Sequence, residues 1–237
     1  MTMKISEEVL KAKGIIYNQK YPYGEMSRVT KNKKRHYETP DGRAVPSVTT
    51  VLSATKDMTH LHAWRKRIGA AKAQQITTES ANIGTVMHNS LEKHVKGIDR
   101  TPGSNLIQQK AWGMANVIID NGLKNVSEVW GSEVSLYYPE LYAGTTDLVG
   151  MYKGEPAIMD FKQARRLKKK EWVEDYYLQL VAYAEAHNKQ YDTQIKTGRI
   201  FICTQANEYQ TFEIDNYDQW VGKWYGKLEE YYKQVLD

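Results

Sequence analysis

Two apolar runs, Asp147-Leu148-Val149-Gly150-Met151-Tyr152 and Pro156-Ala157-Ile158-Met159-Asp160-Phe161-Lys162, flank the turn Lys153-Gly154-Glu155. Short apolar runs on either side of a glycine-bearing turn predict a β-hairpin, and no other segment constrains the fold as strongly. Side chains alternate along a strand, so Asp160 and Lys162 point to one face. Asp147 opens the partner strand and can meet them at that end of the sheet. Two carboxylates and an ammonium gathered at a strand end suit a hard divalent cation with a charge stabiliser beside it, an arrangement fitted to phosphodiester hydrolysis. An Asp-x-Lys on a strand is also an ordinary cross-strand ion pair, so the neighbouring motifs decide.

Those neighbours fall in a telling order. Ala81 to Glu92 reads as a helix presenting His88, with Glu92 one turn later. Glu133 sits in the strand-like run Ser127 to Tyr137, just before the hairpin. Glu171 to His187 reads as a helix carrying Gln179 and Tyr183 on one face at i and i+4. The series His88, Glu133, Asp147, Asp160-x-Lys162, Gln179-x-x-x-Tyr183 resembles the PD-(D/E)xK nuclease superfamily, and within it the RecB-like exonucleases. Pro46-Ser47-Val48-Thr49-Thr50-Val51-Leu52, Trp64-Arg65-Lys66-Arg67 and Gly84-Thr85-x-x-His88-x-x-Leu91-Glu92 narrow the resemblance. They look like the compact members without a helicase, the mitochondrial genome maintenance exonuclease group and its bacteriophage relatives. The similarity runs from about residue 36 to about residue 235. It implies an α/β (α+β) fold with a restriction-endonuclease-like core: a mixed central sheet flanked by helices, with a helical N-terminal half.

The resemblance also implies roles. Asp147 and Asp160 would ligate one or two Mg²⁺ or Mn²⁺ ions, helped by the backbone carbonyl of Phe161 and a ring nitrogen of His88. Lys162 would orient or deprotonate the attacking water and stabilise charge on the phosphate. Glu133 matches the family's accessory acid, and Gln179 and Tyr183 would hold the Lys162 strand and the substrate backbone. Clustered carboxylates need a cation to ionise together at neutral pH, and oxygen ligands with one imidazole favour Mg²⁺ or Mn²⁺. One departure is Gln163, where RecB-like members often carry Thr or Ser; it leaves the metal site intact. His60, His62, His94 and His187 show no ligand spacing. For His187, at the end of its helix, the helix dipole is explanation enough.

Charge and cysteine content fit this expectation. The net charge is +5 with a pI near 9.0, compatible with a nucleic-acid partner. Its distribution says more. Lys31 to Arg35 holds four cations in five residues, Arg65-Lys66-Arg67 three, and Arg165-Arg166-Leu167-Lys168-Lys169-Lys170 five in six. The last cluster starts three residues after Lys162, so it is expected to neutralise DNA phosphates near the site, as a salt-sensitive contact. Seventeen tyrosines and six tryptophans against three phenylalanines supply amphipathic rings for stacking on bases. Candidates are Tyr17, Tyr21, Tyr23, Tyr37 and Trp64, with core packing as the alternative for each. The single cysteine, Cys203, excludes a disulfide framework and a four-cysteine iron–sulfur cluster, and reads as a buried small residue.

Residues 1–35 are expected to form a polar leader, with a short helix from Ser6 and then loop, ahead of a single nuclease domain over 36–237. A hairpin around Asp41-Gly42 precedes a helix capped by Ser47. Helices are predicted over 60–77, 78–96 and 106–120, strands near 127–138, 142–152 and 156–162, an edge hairpin over 197–204 and 208–214, and a closing helix to Val235. No apolar run approaches the length of a membrane span, and the first residues lack a signal-peptide or mitochondrial presequence pattern. The expectation is a bacterial or phage-encoded protein of the bacterial cytoplasm. Its function would be metal-dependent hydrolysis of DNA from free single-stranded ends, in replication, recombination or repair and alongside other proteins of those processes. Duplex-end resection, flap cleavage by the same fold and a non-catalytic nucleic-acid-binding module stand as alternatives.

Overall fold

The computed structural model describes residues 15–236; the short helix expected from Ser6 and the leader pattern before it lie outside them. The helices are α1 (Val48–Ala54), α2 (Thr59–Ile68), α3 (Ala70–Val95), α4 (Leu106–Asn121), α5 (Glu174–Tyr191) and α6 (Tyr217–Leu236). The hairpin of the two apolar runs is present as β6 (Tyr142–Tyr152) and β7 (Glu155–Ala164), with β5 (Val126–Tyr138) antiparallel to β6. Beyond β7 lie β8 (Thr197–Thr204), parallel to it, and β9 (Tyr209–Glu213), antiparallel to β8. A parallel neighbour requires a crossover, and α5 is that crossover. β1 (Ile16–Tyr17) closes the other edge against β5, giving the mixed order β1-β5-β6-β7-β8-β9. A second, three-stranded sheet, β2 (Arg28–Lys31), β3 (Lys34–Glu38) and β4 (Ala44–Pro46), is joined to the first by a bridge between Ser47 and Ala143.

Alternation along the central strands feeds two cores. On one face Ile83, Met87 and Leu91 of α3 and Met114 and Ile118 of α4 pack with Met159, Phe161 and Cys203. On the other, Val48 and Val51 of α1, Leu178 and Val181 of α5, and Trp224 and Leu228 of α6 pack with Ile158, Ile200 and Ile202. Cys203 is fully buried among its neighbours, as a small apolar residue would be, and burial pushes its thiol up to about 11. Among the described residues no helix is long and apolar enough to cross a membrane.

Two local readings need correction. The helical hairpin expected to break between residues 77 and 78 breaks instead at Gly69, whose φ of 84° and ψ of 147° no L-residue adopts without strain. Thr77 stays helical by turning its hydroxyl back to the carbonyl of Ala73. The stretch read as leader loop contributes β1 and β2 to the two sheets. Other boundaries follow their local signals. Ser47 accepts the amide of Thr50 at 3.0 Å, and Gly122 stops α4. Asn105 and Gln108 make a reciprocal capping box at the start of α4.

Candidate active site

The ladder between β6 and β7 runs from Tyr152 opposite Glu155 to Leu148 opposite Met159 and goes no further. Past that point the carboxylate of Asp147 does the pairing, accepting the amide of Phe161 on Oδ2 at 2.6 Å. A side chain thus substitutes for a carbonyl where the strands part, and the largely buried polar ends of both strands border the cleft. Helix α3 lays His88 across this gap, its Nδ1 3.2 Å from Oδ1 of Asp147 and its ring 6.1 Å from that of Phe161. Glu133 joins from β5: Ser132 pairs with Leu148 and Val134 with Thr146, which sets Glu133 across from Asp147. One ligand atom each of His88, Glu133 and Asp147 lies within 4.8 Å of the others.

Asp160 and Lys162 share a face of β7, as alternation predicts. The ammonium of Lys162 is 2.5 Å from Oδ2 of Asp160, which has no other hydrogen-bond donor. It also donates to Oε1 of Gln179 at 3.0 Å, and Nε2 of Gln179 donates to the Tyr183 hydroxyl at 3.3 Å. The i, i+4 pair on α5 therefore forms a relay that holds Lys162 from behind. Gly144 is what lets Tyr183 close in, because a Cβ there would stand 2.7 Å from its ring. The seven expected residues, His88, Glu133, Asp147, Asp160, Lys162, Gln179 and Tyr183, line one cleft of about 440 Å³.

The electrostatics are those of a crowded, half-dry site. Burial, which alone would raise the Asp147 carboxyl, is outweighed by His88 and Lys162, so it lies below the usual carboxylate range. Its partner His88 is held above the usual imidazole value by Asp147, against the opposing effect of burial. Burial pushes Asp160 up to about 6. Partial burial, then the Asp147 charge, pushes Glu133 up to about 7. Burial also opposes the charge of Lys162, yet Asp160 and Asp147 hold its ammonium above the ordinary lysine value. Glu133 moreover sits at φ 53°, in the left-handed region, just after a bulge in β5.

The other expected contacts are arranged differently. None of Arg165, Arg166, Lys168, Lys169 or Lys170 lines the cleft. Lys170 pairs with Asp215 at 2.6 Å, and Arg166 and Lys169 flank the exposed ring of Trp172. Gln210 clamps the backbone of Lys168 through both its amide and its carbonyl. Trp64, Arg65, Lys66 and Arg67 lie on α2, where Trp64 lines a separate cleft with Trp172. Tyr21 and Tyr23 are engaged in the structure, against Trp130, His187 and Tyr191. Gln163 turns away from Lys162 and lies against Gly84 of α3, with its Oε1 buried and without a hydrogen-bond partner among the described residues. Tyr176, beside the cleft, and Arg28 were not singled out by the sequence, and Arg35 only as the end of the Lys31–Arg35 cluster. Tyr176 stands with its ring 5.3 Å from the Lys162 ammonium, and its spacing of three from Gln179 was a usable signal. Arg28 and Arg35 line the cleft from β2 and β3.

No protein-family profile matches the sequence. Mitochondrial genome maintenance exonuclease 1 of Mus musculus is 27% identical over 207 residues, which cover 79% of this chain and 59% of that protein. The human protein of the same name is 26% identical over 206 residues, covering 79% and 58%. This chain therefore spans less than two thirds of the length of these curated relatives. Among solved structures, that of a "Putative exonuclease" from Eubacterium rectale superposes with a TM-score of 0.51 at 15% identity, over 67% of this chain and 66% of that one. With a mixed sheet between two helical layers and these relatives, the chain resembles the RecB-like exonucleases of the PD-(D/E)xK superfamily.

Proposed function

We propose that this chain is a Mg²⁺- or Mn²⁺-dependent deoxyribonuclease that hydrolyses DNA from free single-stranded ends, in replication, recombination or repair. The observation that carries the proposal is the meeting of His88, Glu133 and Asp147 within 4.8 Å, beside the Asp160–Lys162 pair, where β6 and β7 part. The donor set fits a hard cation: carboxylate oxygens, one imidazole, and a buried Asp160 oxygen with Lys162 as its sole partner. His88, Glu133, Asp147 and Asp160 would hold the ion. Bound there, it would supply Lewis-acid polarisation of the phosphate and a water of lowered pKa.

The chain's own residues do the rest. Lys162, whose ammonium Asp160 and Asp147 hold above the ordinary lysine value, would orient the water and offset charge on the phosphate oxygens. Asp160 and Gln179 fix its ammonium from two sides, and Tyr183 fixes Gln179. The test uses end-labelled linear single strands, circular single strands and linear duplex, each with Mg²⁺, Mn²⁺ or EDTA. The expected result is metal-dependent loss of the linear single strand with the circle intact, and a fall of about 10²–10³-fold for Lys162→Met. Cutting of the circle would make the enzyme an endonuclease. Inertness on every substrate would refute the catalytic reading.

A further inference from the structure

We propose that Arg28 and Arg35 form a phosphate seat on the wall that the three-stranded sheet contributes to the cleft. The inference rests on the nuclease reading of that cleft. It starts from register. Arg28 of β2 is paired with Tyr37 of β3, and Arg35 lies two residues from Tyr37 on the same strand. In an antiparallel pair those three side chains leave the sheet on one face. Tyr37 anchors that face: its ring is buried, lies 5.8 Å beneath the Arg28 guanidinium, and its hydroxyl is 3.2 Å from Oγ1 of Thr145. Thr145 is two residues before Asp147 on β6, so the anchor is set beside the carboxylates. Arg35 is fixed through its backbone, whose carbonyl accepts the amide of Ser47 at 3.1 Å and the hydroxyl of Thr50 at 2.8 Å.

Charge decides what this face can hold. The cleft is lined by Glu92, Glu133, Asp147 and Asp160, and its lysine, Lys162, is already committed to Asp160 and Gln179. Among the described residues neither Arg28 nor Arg35 has a carboxylate within ion-pair distance, although both line the same cleft. They are cations with donors to spare at the mouth of an acidic site. A guanidinium presents a planar fork of donors that matches phosphate oxygens. A phosphodiester approaching these carboxylates gains from any cation that offsets their charge beside the metal. The denser Arg165–Lys170 run, by contrast, is outside the cleft lining and partly tied to Asp215 and Trp172. The phosphate held in the seat could be an internal diester or a terminal monophosphate, since the chemistry is shared.

The test compares wild type with Arg28→Gln, Arg35→Gln and the double variant, with Arg28→Lys and Arg35→Lys as conservative versions. Oligothymidylate binding is read by fluorescence anisotropy with Ca²⁺ across a salt series, and cleavage kinetics with Mg²⁺. For the double variant the expected result is a KM and Kd at least ten-fold higher, with the loss in KM exceeding any loss in kcat. Its log K against log salt should be shallower by about 1.4, two single-strand phosphate contacts. The lysine variants should recover part of the affinity. A methylphosphonate that weakens wild type but not the double variant would place an internal diester in the seat. A variant defect seen only on end-phosphorylated oligonucleotides would place a terminal phosphate there. Unchanged KM, Kd and salt slope in a double variant that melts like wild type would overturn the seat while wild-type cleavage leaves the nuclease reading standing. Wild type that binds but cleaves nothing would overturn the nuclease reading instead.

Discussion

At Glu133 the backbone is held at φ 53° by a residue with no intrinsic taste for that region. Left-handed geometry costs a non-glycine residue about 1–2 kcal/mol. Aiming a carboxylate at Asp147 and His88 is what this conformation accomplishes, and strain of this sort gathers where geometry matters to function. Asn tolerates the region better, so Glu133→Asn should leave the unfolding free energy unchanged or raise it by up to about 1 kcal/mol. Cleavage should nevertheless fall by about 10²-fold. Urea titration beside single-turnover kinetics would check both halves; a large loss of stability would show that the φ value carries no strain. The residues of the site differed in legibility. Asp147, Asp160 and Lys162 sit in one hairpin with a period of two, and Gln179 and Tyr183 follow at helical spacing, so local pattern sufficed. Arg28 and Arg35 belong to the cleft only because β2 and β3 fold back on β6, and neither a lone arginine nor the basic run that ends in Arg35 carries a local signal of that.

The elements were legible where hydrophobic period or a cap spoke for them. β6 and β7 have both apolar runs and a turn, and Ser47 and Gly122 mark helix ends. β1 is two residues long and β2 is polar, so neither has a period to read. The α2–α3 break was misread because Gly69 stands between two good helical stretches, where a lone glycine is often absorbed. Its own dihedrals show why it is not absorbed. A Cβ at residue 69 would meet nothing within 4 Å, so any cost of Gly69→Ala is a backbone cost. That variant should lose about 1–3 kcal/mol of stability, unless α2 and α3 straighten into one helix. Chemical denaturation would give the loss, and a rise in helical circular dichroism would reveal the straightening.

Across the whole molecule, the buried histidine of α5 sets a limit at acid pH. His187 was read as a helix-end residue suited to the dipole, which would favour its charged form. It is instead fully buried, with Nδ1 2.8 Å from the Thr193 hydroxyl and Nε2 2.9 Å from the Tyr23 hydroxyl. Thr193 donates to Asn188, so its oxygen accepts from Nδ1–H, and Nε2 accepts from Tyr23: the neutral ring satisfies both contacts. Burial lowers its pKa to about 4, so below about pH 6.5 the unfolded chain takes up a proton that the folded one refuses. The stability this confers is complete above pH 6.5 and is lost as pH falls toward 4, by about 3 kcal/mol over the whole window. His187→Gln, which can also donate once and accept once, should show a flatter profile. Parallel pH profiles of the urea midpoint for the two proteins would remove His187 as the cause.

β5 is thirteen residues long, yet β1 covers its outer edge over only two of them. Among the described residues, the rest of the cover is Asn18, whose amide bonds the carbonyl of Val129, and the Tyr21–Tyr23 pair laid on Trp130 and Tyr191. An uncovered strand edge is a template for another strand, so this strap keeps two copies from zipping together. Removal of residues 1–23 would spare every residue of the cleft while opening that edge. Such a protein should bind DNA when fresh and then scatter light with a concentration-dependent rate at which the intact chain stays clear.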